Sequence, residues 1–171
     1  MSADSMFEIK PIHKESIQKS LEKAHRYRLL NEPLHAESIC LDVLTIEPEN
    51  QQAINILLLA LTDQFDRRLS ARYKQAIALL PQMEDPYRRV YYDGLICERR
   101  ATALYRRGGP GSGHVAYEWF RRAMDHYEKA EAQSPEGNDD AILRWNTCSR
   151  IITRNPDIEA EPEVMRTELL E

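Results

Sequence analysis

The side chains best equipped for chemistry in this chain are five arginine pairs, Arg67-Arg68, Arg88-Arg89, Arg99-Arg100, Arg106-Arg107 and Arg121-Arg122. All lie in the middle of the sequence, interleaved with Tyr87, Tyr91, Tyr92, Tyr105 and Tyr117. A guanidinium forks onto carboxylates and stacks on aromatic faces, so the chemistry offered is recognition of an acidic peptide. Neighbouring helix positions sit about 100° apart, so one arginine of each pair can share a given face. Solvated helix faces, with Asp66, Glu84, Asp85, Asp93, Glu98 and Glu118 as partners, account for the same residues.

Other reactive types are scattered. Cys40, Cys97 and Cys148 are an odd number, far apart, with no CxxC spacing. They read as reduced thiols serving as small core residues. The five histidines form no i,i+4 pair for a metal, and His126 beside Asp125 reads as a surface residue. The GGPGSG run at 108–113 lacks a preceding strand and a following Gly-Lys-Ser/Thr, so it reads as a hinge between helices. No pattern brings a nucleophile and base, or two carboxylates, together. The expectation is a protein that is not an enzyme, with no catalytic residue, no cofactor and no metal site.

Charge is unevenly placed. Residues 1–64 carry 6 basic and 10 acidic side chains, residues 65–123 carry 12 and 6, and residues 124–171 carry 5 and 12. A basic middle between acidic ends shapes the local potential. The net charge of −5 and the lack of any nucleic-acid motif argue against nucleic acid as a partner. No apolar run approaches the roughly 18–20 residues of a membrane span, and MSADSMFEIKP does not read as a secretory signal. With reduced cysteines, this points to the cytoplasm.

Helices must position these groups. Apolar residues recur at steps of three and four from Lys14, with Ile17, Leu21, Ala24 and Tyr27 on one stripe. Pro33 suits the first turn of a helix running to Ile46. Gln51 to Gln64 is apolar most of the way round, the pattern of a helix covered on most sides. Asp66 is the expected cap of a helix ending at Leu80-Pro81, and Asp85-Pro86 opens a long one to Arg107. Helices over 114–133 and 139–153 follow. Residues 1–13 are expected to be a flexible arm, with Phe7, Ile9 and Ile12 near the first helix. Residues 155–171 are expected to be an acidic tail, either opening a short helix at Pro162 with Val164, Leu169 and Leu170 or disordered.

One spacing recurs. Ala24, Tyr27, Ala36, Cys40, Val43 and Pro48 form one set; Leu69, Tyr73, Ala76 and Pro81 a second; Ala123, Tyr127, Ala130 and Pro135 a third. This small–x3–aromatic–x2–small–x4–Pro spacing resembles the tetratricopeptide repeat, a helical hairpin of about 34 residues. The first two closing prolines are 33 residues apart, while the last two are separated by 54, an insertion absorbed by longer helices and the glycine loop. The resemblance covers about residues 15–154. It implies an all-α, short right-handed α-solenoid of about three hairpins over 14–154, closed by a C-terminal capping helix carrying Trp145.

In that family the first helices of the hairpins line a concave groove. Here they would present Gln18, Leu21, His25 and Arg28, then Gln52, Asn55, Leu59 and Thr62, then Arg88, Tyr91, Leu95 and Glu98. Of the residues with which some members grip a terminal carboxylate, Asn55 alone is near position, and Leu21 stands in place of lysine. The expected function is non-catalytic binding of a protein or peptide segment. Asn55, Leu59, Tyr91 and Leu95 would contact it, and Arg88 and Arg99 would steer it. The alternatives are an assembly or secretion chaperone and a homo-oligomeric scaffold.

Overall fold

The computed structural model describes residues 7–163. Among them are seven α-helices, two 3-10 turns and no strand. The chain divides into two compact units, Met1–Ala60 and Leu61–Glu171, and the division falls inside α3 (Gln51–Thr62).

In the first unit, α1 (Ile17–Leu29) pairs with α2 (Pro33–Ile46). Asn31, at φ 59°, adopts the left-handed conformation that terminates α1. The Glu32 amide then returns to the Tyr27 carbonyl at 2.8 Å, and Pro33 opens α2 in its first turn, where no amide is needed. Ile17, Leu21 and Ala24 are buried on α1; Ala36, Cys40 and Val43 are buried on α2. Tyr27, counted with the apolar stripe, is instead 36% exposed and stacks on His35 beside the turn that joins the two helices. Residues 9–12 line a cleft together with α2, and Phe7 and Ile9 are exposed. Asn50 caps α3, its Oδ1 accepting from the Ala53 amide at 2.9 Å. Eight of the twelve residues of α3 are buried, as its nearly continuous apolar run requires.

The second unit is built on α5 (Pro86–Arg107), which packs against α4 (Phe65–Leu79) and most extensively against α6 (Ser112–Glu131). The last helix, α7 (Asp140–Arg154), packs on α6. Asp85 caps α5 by accepting from the Tyr87 amide at 2.9 Å. The expected cap of α4 is displaced: the helix begins at Phe65 and bends at Arg68, whose backbone is non-helical. The core gathers Ala101, Phe120, Ala123, Met124, Tyr127, Ala130 and Cys148. The α5–α6 turn needs glycine, because Gly108, Gly109 and Gly111 all have positive φ.

The chain past α7 is not a free tail through residue 159. Ile158 is buried, Tyr105 Oη donates to the Asp157 carboxylate at 2.9 and 3.0 Å, and His114 Nδ1 donates to the Glu159 carbonyl at 2.9 Å. This strap crosses α6 at Gly113, where a Cβ would lie 1.9 Å from the Asp157 carbonyl oxygen. The glycine run therefore supplies a docking point as well as a turn. The choice between a short helix and disorder at Val164 to Leu170, like the first six residues of the arm, lies outside the described residues.

Candidate functional site

The arginine pairs divide their labour as helical geometry requires. Both Arg88 and Arg89 are exposed, but Arg89 folds back on the preceding loop, its Nε donating to the Met83 carbonyl at 2.6 Å and its Nη2 to the Glu84 carbonyl at 3.2 Å, while Arg88 lies 3.8 Å from Asp85. Arg99 bonds Asp63 at 3.2 Å and Arg106 bonds Asp66 at 3.1 Å. Arg100 is sandwiched between the rings of Tyr73 (4.1 Å) and Trp119 (4.2 Å), and Arg122 covers Trp119 at 4.5 Å. Much of the basic middle thus holds α4, α5 and α6 in place through ion pairs and cation–π contacts.

The expected groove residues are divided between the two units. Asn55 and Leu59 lie in the first unit, both half-buried, and Asn55 Oδ1 is buried without a hydrogen bond. In the second unit Leu95 is 1% exposed, so it has no surface to offer a partner. Leu21, Thr62 and Glu98, from the same register, are buried as well. Glu98 is covered because Tyr127 of α6 and Arg144 of α7 meet it, and spacing along one helix does not reveal what a distant helix covers. Arg99 is committed to Asp63 and half-buried. Arg88 and Tyr91 remain at the surface, exposed and half-buried respectively.

Around those two the structure assembles an aromatic ladder on the first turns of α5. Tyr87 and Tyr91 stack at 5.8 Å with planes 21° apart, and Tyr92 meets Tyr91 edge-on at 5.3 Å. Tyr91 also touches Tyr127. Burial, opposed by a hydrogen bond from Arg144, leaves the Tyr91 phenol raised above its ordinary value. It is therefore a neutral donor and acceptor in a rigid setting.

Beneath the ladder lies a network that the sequence did not disclose. Glu98 is 6% exposed; its Oε2 accepts from Tyr127 Oη at 2.5 Å and its Oε1 from Arg144 Nη1 at 3.1 Å. Burial alone would lower the Arg144 guanidinium, but the Glu98 carboxylate and the Tyr91 hydroxyl outweigh it and hold the charge. Burial and Glu98 together push the Tyr127 phenol well above its usual range. One residue from each of α5, α6 and α7 is thereby locked to the others. Spacing marked Tyr127 as core and Glu98 as a groove or surface residue, and only the arrival of Arg144 from α7 explains why a carboxylate is buried here.

All three cysteines are free and buried, and burial pushes the Cys40 and Cys97 thiols up to about 12. His126 is not simply a surface residue. It is half-buried and its Nε2 lies 3.7 Å from Asp93 Oδ2. Trp145 on α7 is half-buried with Nε1 donating to Glu128 at 3.0 Å, and Leu143 on the same helix is exposed. No described helix is long and apolar enough to cross a membrane. Comparisons with protein-family models, with curated proteins and with solved structures find no match.

Proposed function

We propose that the chain is a non-catalytic binding module of tetratricopeptide-like construction, and that its second unit engages an acidic protein segment through the start of α5. The observation that carries this reading is the Tyr87–Tyr91–Tyr92 ladder beside Arg88. The Arg88 side chain keeps about half of its surface in solvent and only a loose pair with Asp85. Tyrosine and arginine are enriched among residues that dominate interface energies, because they bring contact area at small entropic cost. Arg144 and Tyr127 fix Tyr91 before any partner arrives, so little ordering remains to oppose binding. Peptide display on the full chain tests the reading: selected sequences should be rich in Asp and Glu and should lose binding to Arg88→Glu. Selection with no acidic bias would contradict it.

Self-association is a second reading, favoured by the exposed Leu29, Leu30, Leu34 and Leu41 of the first unit. Sedimentation separates the two, since a scaffold of this kind would dimerise at micromolar concentration and Leu34→Glu would dissolve the dimer. The chaperone reading draws support from a cleft of about 320 Å³ lined by Ile9, Pro11, Ile12, Leu41 and Ile46, which has room for an apolar side chain of a client.

A further inference from the structure

Asp93 and Cys97 are four residues apart on α5 and so share one of its faces. His126 reaches that face from α6. One donor atom from each, a carboxylate oxygen, Sγ and an imidazole nitrogen, lies within 4.8 Å of the other two. We propose that these three side chains form a binding site for a divalent transition metal of the zinc class, with its fourth position open.

The convergence depends on Gly94. A Cβ there would sit 2.8 Å from Tyr127 Cε1 and 3.1 Å from His126 Cβ, so only glycine lets α6 approach this closely. That approach carries the imidazole to the carboxylate one residue before the glycine and the thiol three residues after it. In a tetrahedral site with bonds of about 2.0–2.3 Å, donors stand about 3.4 Å apart. The His126–Asp93 separation of 3.7 Å is already close to this. The donor set is chemically mixed in the way such ions favour: one thiolate, one imidazole and one carboxylate.

Charge balances too. Binding breaks the Cys97 S–H bond, forms an S–metal bond and releases the proton to water. A thiolate and a carboxylate then neutralise the divalent ion beside a neutral imidazole, so no net charge is buried. Asp93 and His126 retain about a third of their side-chain surface and provide the way in, while Cys97 closes the inner end. The positive Arg100 and Arg122, near enough to act on Cys97, oppose the cation and set an upper limit on affinity. The site would clamp α5 to α6.

Cobalt(II) is the probe. One equivalent added to the full chain under reducing conditions should give a thiolate-to-cobalt charge-transfer band, removed by zinc. Cys97→Ser should abolish the band, whereas Cys40→Ser and Cys148→Ser should retain it. Asp93→Asn and His126→Gln should weaken binding at least about tenfold, the least that loss of even an outer-shell partner costs. A missing band at stoichiometric cobalt, or one that survives Cys97→Ser, overturns the proposal. If Cys97→Ser fails to fold, the half-exposed His126→Gln decides: unchanged affinity overturns the site.

Discussion

Tyr127 of α6 donates its phenolic hydrogen to Glu98 of α5 across 2.5 Å, and both groups are almost wholly out of water. A buried carboxylate is tolerated only when its oxygens are satisfied, and here Tyr127 serves one and Arg144 the other. Removing the hydroxyl alone should be costly. Tyr127→Phe is expected to lower stability by about 1.5–3 kcal/mol, the range for a hydrogen bond to a charged group. Urea unfolding measures this. In an Arg144→Gln background the same change should cost a different amount, because the two partners serve the two oxygens of one carboxylate. Strict additivity would show that they act separately.

Gly94→Ala opposes two effects of known size. Alanine is favoured in a helix by about 1 kcal/mol. Its Cβ would, however, press on Tyr127 and on the β-carbon of His126, and overpacking of this kind costs about 1–3 kcal/mol. The net expectation is a loss of stability together with altered near-ultraviolet circular dichroism from the α5–α6 tyrosines. A stabilised variant would mean that the two helices separate freely.

The strap after α7 gives a third expectation. Ile158→Ala removes a buried side chain and should cost about 2–5 kcal/mol, toward the low end because the segment can peel away. Gly113→Ala should release the strap by placing a methyl group against the Asp157 carbonyl. Hydrogen exchange at the Ile158 amide, which donates to Asn155 at 2.9 Å, should then accelerate. Unchanged protection would contradict the docking.

The helices were legible wherever proline or a cap marked them. Pro33 and Asp85-Pro86 open α2 and α5 as expected, because the physics of a helix start is local. Burial was legible where small residues recur: Ala24, Ala36, Ala76, Ala123 and Ala130 are all fully enclosed. Contacts between residues far apart in sequence were not. Glu98 is met by Tyr127 of α6 and Arg144 of α7, and a single-helix period carries no record of that. The His126–Asp93–Cys97 cluster escaped notice because its donors come from two helices, while spacing rules look along one. The strap at 155–159 likewise arises from tertiary packing, which overrides the polar character of the local sequence.

Thiol burial makes stability depend on pH on the alkaline side. The Cys40 thiol rises from 9.0 to about 12 because burial disfavours its thiolate. The folded chain therefore keeps this proton at pH values where the unfolded chain loses it. The contribution is whole below about pH 9 and drains away as pH climbs toward 12. At about pH 10.5 it amounts to roughly 2 kcal/mol for this thiol. The urea midpoint should fall between about pH 8 and 10.5 under reducing conditions, and Cys40→Ala should fall less. Equal falls in both would remove Cys40 from the account.

The binding surface is tested most directly by fluorescence anisotropy of an acidic peptide, selected on the full chain, against wild type and Arg88→Glu. The charge reversal leaves the buried Glu98 network intact, so circular dichroism should be unchanged. Affinity should drop at least about tenfold, equivalent to about 1.4 kcal/mol, and should weaken further with salt. Equal binding by the two proteins would contradict the assignment of the partner surface to the start of α5.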